Sequence, residues 1–343
     1  MKAAVLHRPG EIRLEHRQVP EPGPGEVLVR VRAVGVCGSD VHYYKEGRIG
    51  RRVVEKPLIL GHESAGEVVA LGSGVLHIAV GARVALEPGV PCRRCRYCKS
   101  GRYNLCPDVT FMATPPVDGA FVEYIAWPVD FTYPLLDNLG YDEGALMEPL
   151  AVGMHAVRRA RLVPGGTVLV LGGGPIGQLA LLAAKAAGAG RVILTDLEEG
   201  RLAMARSLGA DGALNPRTTL MAETLAEITD GQGVDVVIEA AGSVETVRQS
   251  IELVRRGGTV VWIGLPGTDP CPVSVLQAVN KEMDILGIYR YANVYPDAIR
   301  LAASGKIDLA PLVTHRFPLE EARRALDTVV EQKASAVKVL VEV

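Results

Sequence analysis

The chain has 343 residues, enough for about two domains at roughly 150 residues each. With 48% hydrophobic and 22% charged residues it can bury a large core, which excludes a disordered tail. Its 37 lysines and arginines against 39 aspartates and glutamates leave a formal net charge of −2, without the basic excess of a nucleic-acid binder. The opening "MKAAVLHRPG" reaches a charged turn after one short apolar run, and no signal peptide is read there. The longest apolar region, "TVLVLGGGPIGQLALLAAKAAG", is broken by glycines, Pro175 and Lys185, so it falls short of the ~20 apolar residues of a membrane span. The expectation is a cytoplasmic protein with neither a membrane nor a nucleic-acid partner. In that reducing compartment clustered cysteines bind metal or do chemistry more often than they pair.

Residues 1 to about 150 carry short Val-rich runs such as "EVLVRVRAVGV", "AGEVVALG" and "GARVALEPG", separated by turn signals. This texture predicts a β-rich region with small loops. Within it lie Cys37 in "GVCGSDVHYY", His62 and Glu63 in "LGHESAGE", and Glu148 in "MEPLAVG". Alone, each residue has an ordinary structural reading, but neighbouring glycines let the side chains converge. The segment "PCRRCRYCKSGRYNLC" sets Cys92, Cys95, Cys98 and Cys106 in a C-x2-C-x2-C-x7-C pattern. Four thiolates at such spacing suit one tetrahedral zinc in a closed, structural site. An iron–sulfur cluster uses similar spacing, but nothing else in the chain points to electron transfer. Cys271 has no partner nearby in sequence.

From about residue 165 strands and helices alternate. "GTVLVLG" and "RVILTD" read as strands around the helix "IGQLALLAAKAAG". After the helix "LEEGRLAMARSLGA", the strands "VDVVIEAAG" and "GTVVWIG" flank the helix "SVETVRQSIELVRRGG". Such alternation predicts βαβ units and a parallel sheet, ending near "EMDILGIYRYANVYP". The last ~50 residues carry a helix, "LEEARRALDTVVEQ", and a closing strand, "AVKVLVEV". "LGGGPIG" places Gly172, Gly174 and Gly177 in a G-x-G-x-x-G pattern between strand and helix, where a dinucleotide pyrophosphate meets backbone N–H groups. Asp196, at the end of the following strand, suits the adenosine ribose hydroxyls and disfavours a 2′-phosphate, pointing to NAD.

The segments "GVCGSDVHYY", "LGHESAGEV", "FMATPPVDGAF", "EGALMEPLAVGMHA", "GGGPIG", "RYAN" and "VTHRFPL" resemble the zinc-dependent medium-chain dehydrogenase/reductase family, in particular its polyol branch. The resemblance implies an α/β chain: a GroES-like, β-rich catalytic domain (1–152 and 290–343, with a structural zinc lobe at 89–107) and a Rossmann doubly wound parallel-sheet NAD-binding domain (153–289). It implies a catalytic zinc on Cys37, His62 and Glu63, with Glu148 touching the metal or its water, besides the structural zinc of the four cysteines. Which of Glu63 and Glu148 is the third direct ligand stays open. Ser39 and His42 match the family's proton relay. Tyr43, Phe111, Thr114, Glu148, Arg290 and Tyr291 match its substrate contacts, and Ile176, Arg201, Ile263, Leu265 and Arg290 its further cofactor contacts. The implied activity is reversible NAD-linked oxidation of a polyol to a ketose by a homotetramer. 2,3-Butanediol or L-threonine as substrate, or a non-catalytic nucleotide-binding protein, are the rival readings.

Overall fold

The computed structural model describes residues 1–267 and 270–343. Contacts divide it into two units, residues 1–148 with 295–343, and residues 149–294. No helix among the described residues is long and apolar enough to cross a membrane.

In the first unit a seven-stranded sheet runs in the order Thr132–Pro134, Arg83–Leu86, Glu63–Leu71, Glu26–Gly35, Lys338–Glu342, Val313–Pro318, with Tyr124–Pro128 also paired to Glu26–Gly35. Alternation along "EVLVRVRAVG" sends Val27, Val29 and Val31 inward, each at most 1% exposed. They join Phe121, Trp127, Leu326, Val339 and Val341 in one core. The chain's last strand, Lys338–Glu342, thus lies beside one of its first, with Leu340 opposite Gly35. A smaller sheet joins Lys2–Arg8 to Glu11–His16 and Leu58–Ile59.

The second unit holds six parallel strands in the order Gly212–Leu214, Arg191–Thr195, Thr167–Leu171, Val234–Glu239, Val254–Trp262, Asp284–Gly287. The third, second and first strands precede the fourth, fifth and sixth across the sheet, so the order reverses beside Thr167–Leu171, as in a doubly wound dinucleotide-binding sheet. The alternation ends within "EMDILGIYRYANVYP", where Asp284–Gly287 forms the sixth strand. One expectation is corrected here. The helix after Ser243 stops at Leu253, and "VRRGG" belongs to the next strand. The backbone turns extended at Val254 (φ −71°, ψ 142°), and Gly257 further on has φ +65°.

A buried carboxylate ties the cysteine-rich segment to the first sheet. Glu87, 1% exposed, accepts hydrogen bonds from the hydroxyls of Tyr103 at 2.8 Å and Tyr133 at 2.9 Å. Tyr103 lies between Cys98 and Cys106, while Trp127 Nε1 donates to the Glu87 carbonyl at 2.9 Å. Burial raises the Glu87 pKa to about 7; the two tyrosine hydroxyls pull it back, and the charges of Glu148 and Asp130 add to the rise. The folded protein therefore binds this proton more tightly than the unfolded chain. Stability from this group is complete below the unfolded carboxylate pKa and falls as pH rises towards about 7. Glu87→Gln should remove that fall, on the order of 2–3 kcal/mol between pH 5 and 8. Urea unfolding of both proteins across that range checks it; parallel pH profiles would contradict it.

Candidate functional site

The first cluster grows from the amino end of the helix Gly38–Glu46. Cys37 caps this helix, and its backbone N–H donates to Asp40 Oδ2 at 3.0 Å. Asp40 is fully buried and also accepts from Gly61 N–H at 2.9 Å, while His62 Nδ1 lies 3.6 Å from its Oδ1. One carboxylate thereby aligns both Cys37 and His62, the kind of outer support that fixes a ligand ring. Glu63 opens the strand Glu63–Leu71 opposite Gly35, where a Cβ would stand 1.9 Å from Glu63 Oε2. Only glycine leaves room for this carboxylate to turn inward.

The ligand atoms of Cys37, His62 and Glu63 lie within 4.8 Å of one another, and His62 and Glu63 are buried. Glu63 Oε2 also meets Lys338 Nζ at 2.6 Å, with both side chains at most 2% exposed. Burial works against the Lys338 ammonium, but the charges of Glu63, Cys37 and Glu148 overcome it and hold its pKa above the ordinary lysine value. Burial likewise opposes charge on His62; Asp40 and Cys37 outweigh it and raise the ring's pKa well above normal. The pocket is rich in acceptors and draws positive charge towards it. A soft thiolate, an imidazole and a carboxylate form a donor set that fits zinc with a further position free. Glu148, 6% exposed in the first turn of the helix Met147–Ala160, stands outside the three-atom cluster, although its charge is felt at Lys338.

Around these groups Phe111 packs its ring 5.6 Å from that of His62. Tyr43 is 3% exposed, and Thr114 N–H bonds the Phe111 carbonyl at 3.2 Å. Ser39 and His42 share the capped helix; His42 is exposed, its Nδ1 3.3 Å from Glu46. The four cysteines form the second cluster, all free thiols whose sulfurs lie within 4.8 Å of one another. Backbone N–H groups of Arg94 and Cys95 lower Cys92 to about 7, while burial and the adjoining thiols push Cys98 up to about 12. These sulfurs fit a metal that four thiolates can share.

In the second unit the glycines are fitted to a close approach. Gly172 has φ +101°, and a Cβ on Gly177 would lie 1.8 Å from the Gly172 carbonyl oxygen. Gly174 caps the helix Pro175–Ala186, with Ile176 in its first turn. Asp196 accepts from Gly173 N–H at 2.7 Å and Glu198 N–H at 2.9 Å, and Arg201 Nη1 is 3.4 Å away. Glu239, fully buried, accepts from Ala241 N–H, Gly242 N–H and the Thr246 hydroxyl, bracing the turn against which Gly172 packs. Ile263 N–H bonds the Glu239 carbonyl at 2.9 Å, and Leu265, 78% exposed, follows at the same strand end. Arg290 lies over the Tyr289 ring at 4.9 Å with φ +56°, and Tyr291 is buried.

Asp40, Lys338, Glu87 and Glu239 were not singled out from the sequence. Asp40 had a signal: an acid three residues after the capping position, the capping-box spacing. Lys338 had a weaker one, a lysine inside the apolar run "AVKVLVEV".

Comparison with known proteins agrees with this reading. Residues 23–137 match the alcohol dehydrogenase GroES-like domain and residues 175–304 the zinc-binding dehydrogenase domain. The chain is 50% identical to the sorbitol dehydrogenase of Bacillus subtilis (strain 168), covering 99% of this chain and 97% of that protein. The 2R,3R-butanediol dehydrogenase structure from Bacillus subtilis superposes with a TM-score of 0.92 at 34% identity, over 100% of this chain and 99% of that one. A zinc-binding dehydrogenase from Sinorhizobium meliloti bound to NADP superposes with a TM-score of 0.91 at 35% identity, with the same coverage. The chain belongs to the zinc-dependent alcohol dehydrogenase family, the medium-chain dehydrogenases with a GroES-like and a Rossmann-type domain.

Removing Lys338 leaves Glu63 as an uncompensated buried anion. In metal-free protein, Lys338→Met should therefore cost about 3–5 kcal/mol, part of it regained when Glu63→Gln is added. Denaturant unfolding of the single and double variants measures this; a loss below about 1 kcal/mol would show the pair to be dispensable.

Proposed function

We propose that this protein is a zinc-dependent polyol dehydrogenase of the sorbitol type, oxidising a secondary hydroxyl with NAD⁺ and reducing the ketose in reverse. The observation that carries the reading is the Cys37–His62–Glu63 cluster, with His62 and Glu63 buried, intact in a chain half identical to a sorbitol dehydrogenase over nearly its full length. Residues 1–148 with 295–343 act as the catalytic unit, and residues 149–294 hold the nucleotide.

Cys37, His62 and Glu63 would hold the catalytic zinc with Glu148 beside it, and Cys92, Cys95, Cys98 and Cys106 the structural one. When bound, zinc supplies a Lewis acid that makes a hydroxyl acidic, and the nicotinamide supplies the hydride acceptor. Asp40 keeps His62 and Cys37 in register for this work. Ser39 Oγ takes up the proton released by the substrate hydroxyl and passes it to His42, one helical turn on and open to solvent. His42 Nδ1 stands 3.3 Å from Glu46, an exposed carboxylate at the outer end of this path. Tyr43, Phe111, Thr114, Arg290 and Tyr291 are proposed to position the polyol. Gly172, Gly174, Ile176, Gly177, Asp196, Arg201, Ile263 and Leu265 are proposed to bind the cofactor, with Arg290.

Free thiols at all six cysteines support a reducing, cytoplasmic setting. A homotetramer remains the expected assembly. Its support is the apolar rim of the second unit, where Val275, Leu276 and Val279 are each about 70% exposed beside the edge strand Asp284–Gly287.

A turnover screen of the zinc-loaded enzyme with NAD⁺ over stereoisomeric pentitols and hexitols, 2,3-butanediol and L-threonine tests the substrate. The expected result is a kcat/KM for one polyol at least tenfold above those for butanediol and threonine; the reverse order would assign the rival activity.

Cofactor choice rests on Asp196. Its carboxylate should repel a 2′-phosphate, so NAD⁺ should be strongly preferred over NADP⁺, and Asp196→Ala should narrow the gap. Equal kcat/KM for both cofactors in the unmodified enzyme would show that Asp196 only caps its loop.

A further inference from the structure

A cavity of about 490 Å³ opens at the amino ends of four parallel strands of the second unit. The glycine loop lies at the carboxyl end of one of these, Thr167–Leu171, so the cavity is at the opposite end of the strands from the glycine loop. Arg158, Arg159 and Arg161, at the end of the helix Met147–Ala160 and just beyond it, line the cavity together with Arg255 from the strand Val254–Trp262. Two carboxylates share the lining. Asp235 is already engaged, bonded by Arg255 Nε at 2.7 Å and Thr167 N–H at 2.7 Å. Asp284 is exposed. Four guanidinium groups against two carboxylates leave a surplus of two positive charges around one hollow.

The helix end explains part of this, since arginines in a last turn complement the helix dipole. It does not explain Arg255, which comes from a separate strand, nor the concavity. Arg159 and Arg161 make no ion pair among the described residues, and Asp235 is paired with Arg255 instead. Val163, Val236 and Leu286 add an apolar wall. The size lies in the range of small-molecule sites, and guanidinium forks match phosphate oxygens in bidentate fashion. A phosphate monoester carries close to two negative charges near neutral pH, which matches the surplus. A polynucleotide is disfavoured by the chain's overall negative charge and by the cavity's confined shape.

We propose that this cavity is an anion site for a small phosphate monoester, separate from the dinucleotide and zinc centres, with Arg159 and Arg161 as its principal donors. It rests on the cavity itself and not on the polyol reading. The test uses zinc-loaded enzyme saturated with NADH, so that the glycine loop is filled. Glycerol 3-phosphate and inorganic phosphate are titrated by calorimetry against potassium chloride at matched ionic strength. Saturable binding of both is expected, the ester the tighter, and at least about tenfold weakening in the Arg159→Gln/Arg161→Gln double variant. Arg248→Gln, at an exposed arginine elsewhere on the same unit, should bind as the parent does. Should the double variant fail to fold, Arg159→Lys and Arg161→Lys keep the charge but lose the fork, and each should weaken binding several-fold. Heats that follow potassium chloride alone, or affinity unchanged in the arginine variants, overturn the proposal. Loss of polyol turnover with phosphate binding intact would overturn the enzyme reading and leave this site standing.

Discussion

The fold of the first unit turns on one buried ion pair, Lys338 with Glu63. Burying two charges is costly, and their attraction recovers that cost only with close geometry. Here the contact is 2.6 Å and almost fully enclosed. Meeting it requires the last strand to return beside Glu26–Gly35, and Lys338 Nζ then also reaches the Val36 carbonyl at 3.4 Å. A register slip of one residue would turn Lys338 to the other face of the strand and leave Glu63 unpaired. The pair therefore specifies the register of the C-terminal strand as much as it stabilises the unit.

The same reasoning explains why glycine and aspartate recur around the cluster. Gly35 yields the space that the Glu63 carboxylate fills. Asp40 spends one oxygen on the Cys37 amide and the other on the Gly61 amide and His62, so a helix cap and a ligand orienter are one residue. In the second unit Glu239 does a comparable task for the turn facing Gly172. In each case a buried carboxylate accepts hydrogen bonds from backbone N–H groups and holds a loop in place near a predicted ligand position; at Glu239 all of them fall on Oε1, and Oε2 has no partner among the described residues.

Much of this was legible from sequence because it is local. The strand, glycine loop and helix from Thr167 to Ala186 follow from a short motif, and the cysteine spacing defines a four-sulfur cluster before any fold is known. The partners that arrive from far along the chain were not legible. Lys338 lies 275 residues from Glu63, and nothing in "AVKVLVEV" says which buried acid it meets. Glu87 reaches Tyr103 and Tyr133 across separate elements, where periodicity carries no information about pairing. The boundary at Leu253 was misplaced for a different reason. "VRRGG" continues a helical pattern in composition, but Val254 already pairs with Val234 in the parallel sheet, and tertiary packing decided it.

Distribution of charge gives the two units different characters. In the first, buried acids outnumber buried bases near Cys37, which suits a cation held in a closed place. In the second, the glycine loop and the arginine-lined hollow lie at opposite ends of the same strand set. Parallel strands all point one way, so one end of the sheet gathers helix amino ends and backbone N–H groups suited to a pyrophosphate. The other end gathers helix carboxyl ends, which favour arginine and lysine side chains. An anion at that end must be held by side chains, because the backbone there presents carbonyls. Four arginines around a hollow are what such an end needs before it can hold a phosphate at all.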